Sequence, residues 1–138
     1  MEKLAEAIVY IFIDEVNNKV LLEQRPAKDE YPEEWIFPGG KKEDADRAMI
    51  DCLLREAREE LGVTPRWFSE LPQTETTLSP LGRSLYPYVV TDWGIQSLPE
   101  KTLDRGHCLQ WEELDNVLLS PIPSVRKLAE DLKSYLQQ

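Results

Sequence analysis

The 138-residue chain predicts a layered domain of strands and helices, α/β or α+β in class. Three observations predict it. Apolar, β-branched runs of strand length lie on both sides of a central helical pattern. That helical pattern keeps its apolar residues on one arc. A second helical pattern closes the sequence. Strands around a middle helix, with a helix at the end, are the element order of layered packing.

Ala5 to Ile13 is rich in Ile, Val, Phe and Tyr and is expected as a buried strand. Glu15 to Asn18 supplies turn chemistry, and Lys19 to Gln24 is the returning strand of a hairpin. Trp35 to Phe37 is a short strand ended by Pro38. Gly39 and Gly40 then allow backbone angles closed to other residues. Lys41 to Asp46 is a charged loop.

Arg47 to Leu61 fits a helix with Asp46 as a possible N-cap. Ile50, Leu53, Leu54, Ala57 and Leu61 form its apolar stripe, and Gly62 is the expected stop. Trp67 to Leu71 and Thr74 to Leu78 have strand character. Leu85 to Asp92 is a further strand, which Pro87 assigns to an edge or a bulge. Gly94 to Gly106 is irregular, and His107 to Trp111 is the last strand. A helical turn starts at Glu112. Pro121 to Leu136 is the terminal helix, with Val125, Leu128, Leu132 and Leu136 inward. No repeat or linker interrupts the chain, so one domain over residues 1–138 is expected.

The formal charge is −10, which argues against a polymeric nucleic-acid partner, since that needs a basic footprint. It permits a small anionic substrate where metal ions bridge like charges. No apolar run reaches the ~20 residues of a membrane span. The apolar run near the start lacks a basic flank and a cleavage site, so no signal peptide is expected. Cys52 and Cys108 give no disulfide framework and fit ordinary thiols of a cytoplasmic protein. Either a monomer or a homodimer is compatible with the chain, with Pro87 and an exposed Trp93 as possible dimer features.

Glu56, Glu59 and Glu60 stand at i, i+3 and i+4, which puts three carboxylates on one helix face. That face adjoins the apolar arc, so the acids are partly desolvated and repel one another unless a cation joins them. Oxygen donors suit Mg²⁺ or Mn²⁺. Arg55 stands beside them. The alternative for such a triplet is a solvated face with i,i+4 pairing, as between Arg55 and Glu59.

Arg55 to Val63, REAREELGV, together with the upstream FPGG, resembles the Nudix signature G-x5-E-x7-R-E-U-x-E-E-x-G-U, where U is aliphatic. Gly40 matches the leading glycine. The front half departs: fifteen positions separate Gly40 from Arg55 against fourteen in the pattern, and Asp46 stands where Glu is usual. One extra loop residue accounts for this and is expected to displace Asp46.

The resemblance implies a Nudix-type α/β/α sandwich with a central mixed sheet and the signature loop-helix. It implies metal-dependent hydrolysis of a diphosphate linked to another moiety. Glu59 and Glu60 would be the main ligands, and Glu56 a further ligand or the base acting on water. Arg55 would orient the acids, and the Gly40 carbonyl would be a further ligand. A distant acid would come from Asp104 or Glu100. His107 is a weaker site candidate.

LLEQRPAKDEYPEEWIFPGGK is similar to the MutT-like nucleoside triphosphate pyrophosphohydrolases. This implies a small-molecule nucleotide substrate, with Arg25 and Phe37 near the base; Trp35 is a further candidate. The Asn that members acting on oxidised guanine carry before the last helix is absent, since the chain reads Ser120-Pro121-Ile122-Pro123-Ser124 and Asn116 is too early. ADP-ribose or a dinucleoside polyphosphate is the alternative substrate class. A retired Nudix fold serving as a sensor or interaction module is the alternative role.

Overall fold

The structure is a computed structural model, and it describes residues 5–25, 34–94 and 108–138. Strand β1 (Glu6–Asp14) is its spine. Its side chains alternate between two cores, as a strand with both faces covered requires. Ala7, Val9, Ile11 and Ile13 enter one core, and Ile8, Tyr10 and Phe12 enter the other.

A hairpin leads to β2 (Lys19–Gln24). The Asp14 carboxylate closes the turn by accepting from the Val16 and Asn17 backbone N–H groups, while Asn18 takes a positive φ of 54°. The β1–β2 ladder is short, pairing Ile13 with Val20 and Asp14 with Lys19. Beyond it β2 swings away to pair with β3 (Trp35–Ile36) and β8 (Leu109–Glu113).

The vacated edge of β1 is taken by β4 (Gly39–Lys41), which sets Val9 opposite Gly39 and Ile8 opposite Gly40. The Tyr10 N–H donates to the Pro38 carbonyl at the junction, at 3.0 Å. The FPGG segment therefore fills the fork between two wings of one sheet.

The other edge of β1 pairs in parallel with β7 (Ser84–Asp92), which carries β5 (Trp67–Glu70) and β6 (Thr77–Leu78) on its far side. Pro87 is thus inside the sheet, between β1 and the β5 side, and not on an edge strand. Its carbonyl accepts from Leu71, away from β1. N–H and C=O of one strand residue point the same way, so the missing N–H falls in the gap between β5 and β6 and costs no β1 ladder bond. Of the segment 74–78, only Thr77 and Leu78 are strand.

Helix α1 (Met49–Leu61) covers one face of the sheet. The short α2 (Leu114–Val117) and α3 (Pro123–Leu136) cover the other. The result is an α/β/α sandwich around a mixed sheet. α3 buries Val125, Leu128, Ala129 and Leu132. Its Asp131 is buried and accepts from Lys127 at 2.7 Å. Trp93 is half-buried, not exposed as expected, because it stacks with Trp111 at 6.0 Å and packs on Phe12 at 5.0 Å.

Candidate active site

The loop before α1 closes on itself. Asp46 N–H donates to the Glu43 carbonyl, and Glu43 N–H donates to Asp46 Oδ2. Asp46 is not the N-cap. Ala48 holds that position with extended angles, and its N–H donates to Asp51 Oδ2. Asp46 lies against the helix, bonded to Arg55. Its carboxylate is buried and receives two parallel bonds from Arg55, Nε at 3.1 Å and Nη2 at 2.8 Å. This fork geometry is the strong form of a charge-assisted pair. Arg55 holds the Asp46 carboxyl down to about 2, chiefly by these bonds.

Arg55 is the hub of the site. Besides Asp46 it donates to the Lys41 carbonyl, to Glu56 Oε1 at 3.0 Å and to Glu59 Oε2 at 3.2 Å. Its own pKa is raised, first by Asp46.

The helix buries Leu53, Ala57 and Leu61 of the expected apolar stripe but not the whole of it. Ile50 is 44% exposed and Leu54 half-buried, while Cys52, Leu53, Glu56, Ala57 and Leu61 are buried. The helix is rotated toward the Cys52–Glu56 row. Gly40 leaves room for the Glu56 carboxyl in that row. A Cβ built there would overlap the Glu56 carboxyl, at 2.2 Å from its carbon. Glu56 is 7% exposed. Burial raises its pKa, with Arg55 opposing and Glu60 and Glu59 reinforcing the shift.

Glu59 is largely exposed and Glu60 is half-buried. Among the described residues, no three potential ligands are gathered around one point. Arg55 Nη1 instead donates to both Glu56 and Glu59. The donor chemistry nevertheless fits a hard divalent cation. All donors are oxygen, one carboxylate is desolvated against a backbone stripped of Cβ, and Mg²⁺ commonly takes only one or two carboxylates, filling its shell with water and phosphate.

A cleft opens at the same glycines, on the α3 side of the sheet. It is lined by Arg25, Phe37, Gly39 and Gly40, together with Arg83 and Ser124. Arg25 and Phe37 are both buried. Trp35 does not reach this cleft. It faces a separate groove with Leu22, Glu112, Asn116 and Pro121. Trp35 shares a sheet face with Phe37 but lies two residues, about 7 Å, further along the strand. Asn116 is in Trp35's groove, where it donates to Glu112. Asp104, Glu100 and His107 lie outside the described residues. Arg83 escaped sequence reasoning, since the Ser79–Arg83 turn carries no motif and only packing brings it to the cleft. Ser124 belongs to the stretch read for the absent Asn.

Cys52 is buried, and burial pushes its thiol up to about 11. It and Cys108 are both free thiols. No helix among the described residues is long and apolar enough to cross a membrane.

The NUDIX domain family matches residues 4–132, nearly the whole chain and both halves of the site. The chain belongs to the Nudix family and is a hydrolase of its MutT-like branch. It is similar to the 8-oxo-dGTP diphosphatase of Proteus vulgaris, 32% identical over 79% of this chain and 97% of that protein. It is also similar to the CTP pyrophosphohydrolase of Escherichia coli K12, 43% identical over 44% of this chain, a match spanning under half (43%) of that relative. The solved MutT structure from work on Aliivibrio salmonicida and Vibrio cholerae shares the fold. Its TM-score is 0.73 at 18% identity, over 96% of this chain and 99% of that one.

Proposed function

We propose that the chain hydrolyses a phosphoanhydride bond of a nucleoside di- or triphosphate with the help of Mg²⁺ or Mn²⁺. The observation that carries this is the Glu56 carboxylate, buried against Gly40, a residue that also lines the Arg25–Phe37 cleft. A nucleoside in the cleft would send its phosphates over the Gly39–Gly40 backbone toward α1. The names of the two curated relatives, both nucleoside triphosphate enzymes, support the same substrate class.

The residues divide the work as follows. Phe37 offers a ring face to the base and Arg25 its donors. Glu56, Glu59, Glu60 and the Gly40 carbonyl would hold the cation. Bound there, the cation would neutralise phosphate charge in the transition state. Arg55 keeps the acids oriented and is itself fixed by Asp46. Water adds to phosphorus as the bridging P–O bond breaks, and Glu56, made more basic by burial, accepts the water proton. The leaving phosphate departs with the bridging oxygen.

The base remains to be assigned by assay. Ser124, not Asn, faces the cleft from α3, which disfavours oxidised guanine. The test is a panel of canonical and oxidised nucleoside triphosphates, diphosphates, ADP-ribose and dinucleoside polyphosphates, with Mg²⁺ and phosphate-release detection. Turnover of a nucleotide is expected, with a loss of about 10²-fold or more in Glu59→Gln and Glu60→Gln. Full activity in both variants would overturn the proposal, and nucleotide binding without turnover would point to a sensor module instead.

A further inference from the structure

Tyr10 stands out in the core under α1. Its side chain is fully buried, and its hydroxyl has no hydrogen-bond partner among the described residues. An unsatisfied buried hydroxyl costs on the order of 1–3 kcal/mol. The neighbouring position on the same face is Phe12, which fills its place with no such cost.

The helix above Tyr10 explains where the hydroxyl can find a partner. Cys52, Leu53 and Ala57 pack in one cluster with Tyr10. Cys52, Glu56 and Glu60 are i, i+4 and i+8, one row of the helix. The row that begins as apolar cover over Tyr10 therefore continues as two signature acids. Glu23 stands on β2, where the strand pairs with β3 and β8. The phenol senses these groups: burial first, then Glu23, Glu60 and Glu56, raise its pKa well above the usual value. It stays a proton donor at neutral pH. Its backbone N–H is already committed to Pro38 of the FPGG segment. Tyr10 thus joins the FPGG segment through its backbone and the apolar cluster of α1 through its side chain.

We infer that Tyr10 is a positioning residue of the acidic site, its hydroxyl donating from beneath to a carboxylate oxygen of the Glu56–Glu60 row when the acids gather around a divalent cation. In the structure described, Glu56 is drawn to Arg55, and the phenol is left unmatched. The unmatched donor favours the gathered arrangement, because only that arrangement relieves it. This inference rests on the metal-dependent function proposed above.

The experiment is Mn²⁺ binding to the full chain, followed by electron paramagnetic resonance without substrate, for wild type and Tyr10→Phe. Tyr10→Phe is expected to melt at the same temperature or higher, since it removes an unsatisfied group. It is expected to weaken Mn²⁺ binding about tenfold, in the range of outer-shell substitutions at metal sites. Unchanged binding would overturn the inference, as would a lowered melting temperature with unchanged binding, the mark of a packing role. If Tyr10→Phe fails to fold, 3-fluorotyrosine placed at position 10 decides. Its fluorine resonance should shift on adding Mg²⁺, and a fixed resonance overturns the inference. Wild type that binds no Mn²⁺ and releases no phosphate overturns both proposals. Wild type that does both, beside an unaltered Tyr10→Phe, overturns this one alone.

Discussion

Asp46 shows how one side chain can anchor a site without entering it. It holds Arg55 by two bonds, and Arg55 holds two acids. Its folded pKa of about 2 lies below the 3.8 of an unperturbed Asp. A lowered carboxylate pKa means stability that is complete above about pH 4 and is lost as pH falls through 2. Urea unfolding between pH 5 and 2 should therefore show a steep loss in wild type and a shallower one in Asp46→Asn. At neutral pH, Asp46→Ala should cost about 2 kcal/mol, typical for losing charged hydrogen bonds. An unchanged unfolding midpoint would refute the anchoring role. The sequence displays Asp46 as a misplaced loop acid. What it hides is the reciprocal Glu43–Asp46 bonding that takes up the extra residue.

At the scale of elements, the two glycines of β4 have different duties. A Cβ on Gly39 would meet the Ile8 carbonyl oxygen of β1 at 2.1 Å, backbone that cannot yield. A Cβ on Gly40 would meet the end of the Glu56 side chain, which can turn aside. Gly39→Ala should therefore destabilise the fold by about 3 kcal/mol or more, read as a lowered unfolding midpoint. Gly40→Ala should fold nearly normally yet lose about 10²-fold in activity, because it pushes the acid out of position. If the two variants behave alike, the division is wrong.

The same contact explains what the helix pattern could and could not convey. The 3.6-residue period marks α1 and its end at Gly62, where φ is 70°. It does not reveal that Gly40 makes room for the Glu56 carboxyl, with Ile50 left exposed and Glu56 buried. Likewise Pro87 carries edge-strand chemistry, and only the gap between β5 and β6 reconciles it with a central place. Arg83 was illegible for a simpler reason: nothing local distinguishes a cleft residue when its cleft is built by distant strands.

For the whole molecule, the charge of −10 would make the proposed cation binding a stabilising event. A ligand that binds only the folded state adds RT ln(1 + [L]/Kd), about 2.7 kcal/mol at a hundredfold excess over Kd. The melting temperature should rise with Mg²⁺ and much less with NaCl at equal ionic strength. Glu59→Gln combined with Glu60→Gln should abolish the difference. An equal response to both salts would show general screening in place of a site.

The parallel pairing of β1 with β7 has a further bearing, on how the molecule comes into being. Residue 6 faces residue 84, and residue 12 faces residue 90. The ladder that flanks the acid-bearing helix joins segments far apart in the chain, and such closure is slow because its entropy is lost before any contact repays it. The signature helix is synthesised early, but its apolar row has no complete wall until β7 arrives. On a ribosome, the acids would remain ungathered until the chain had passed residue 92. Catalytic competence is thereby tied to completion of the sheet.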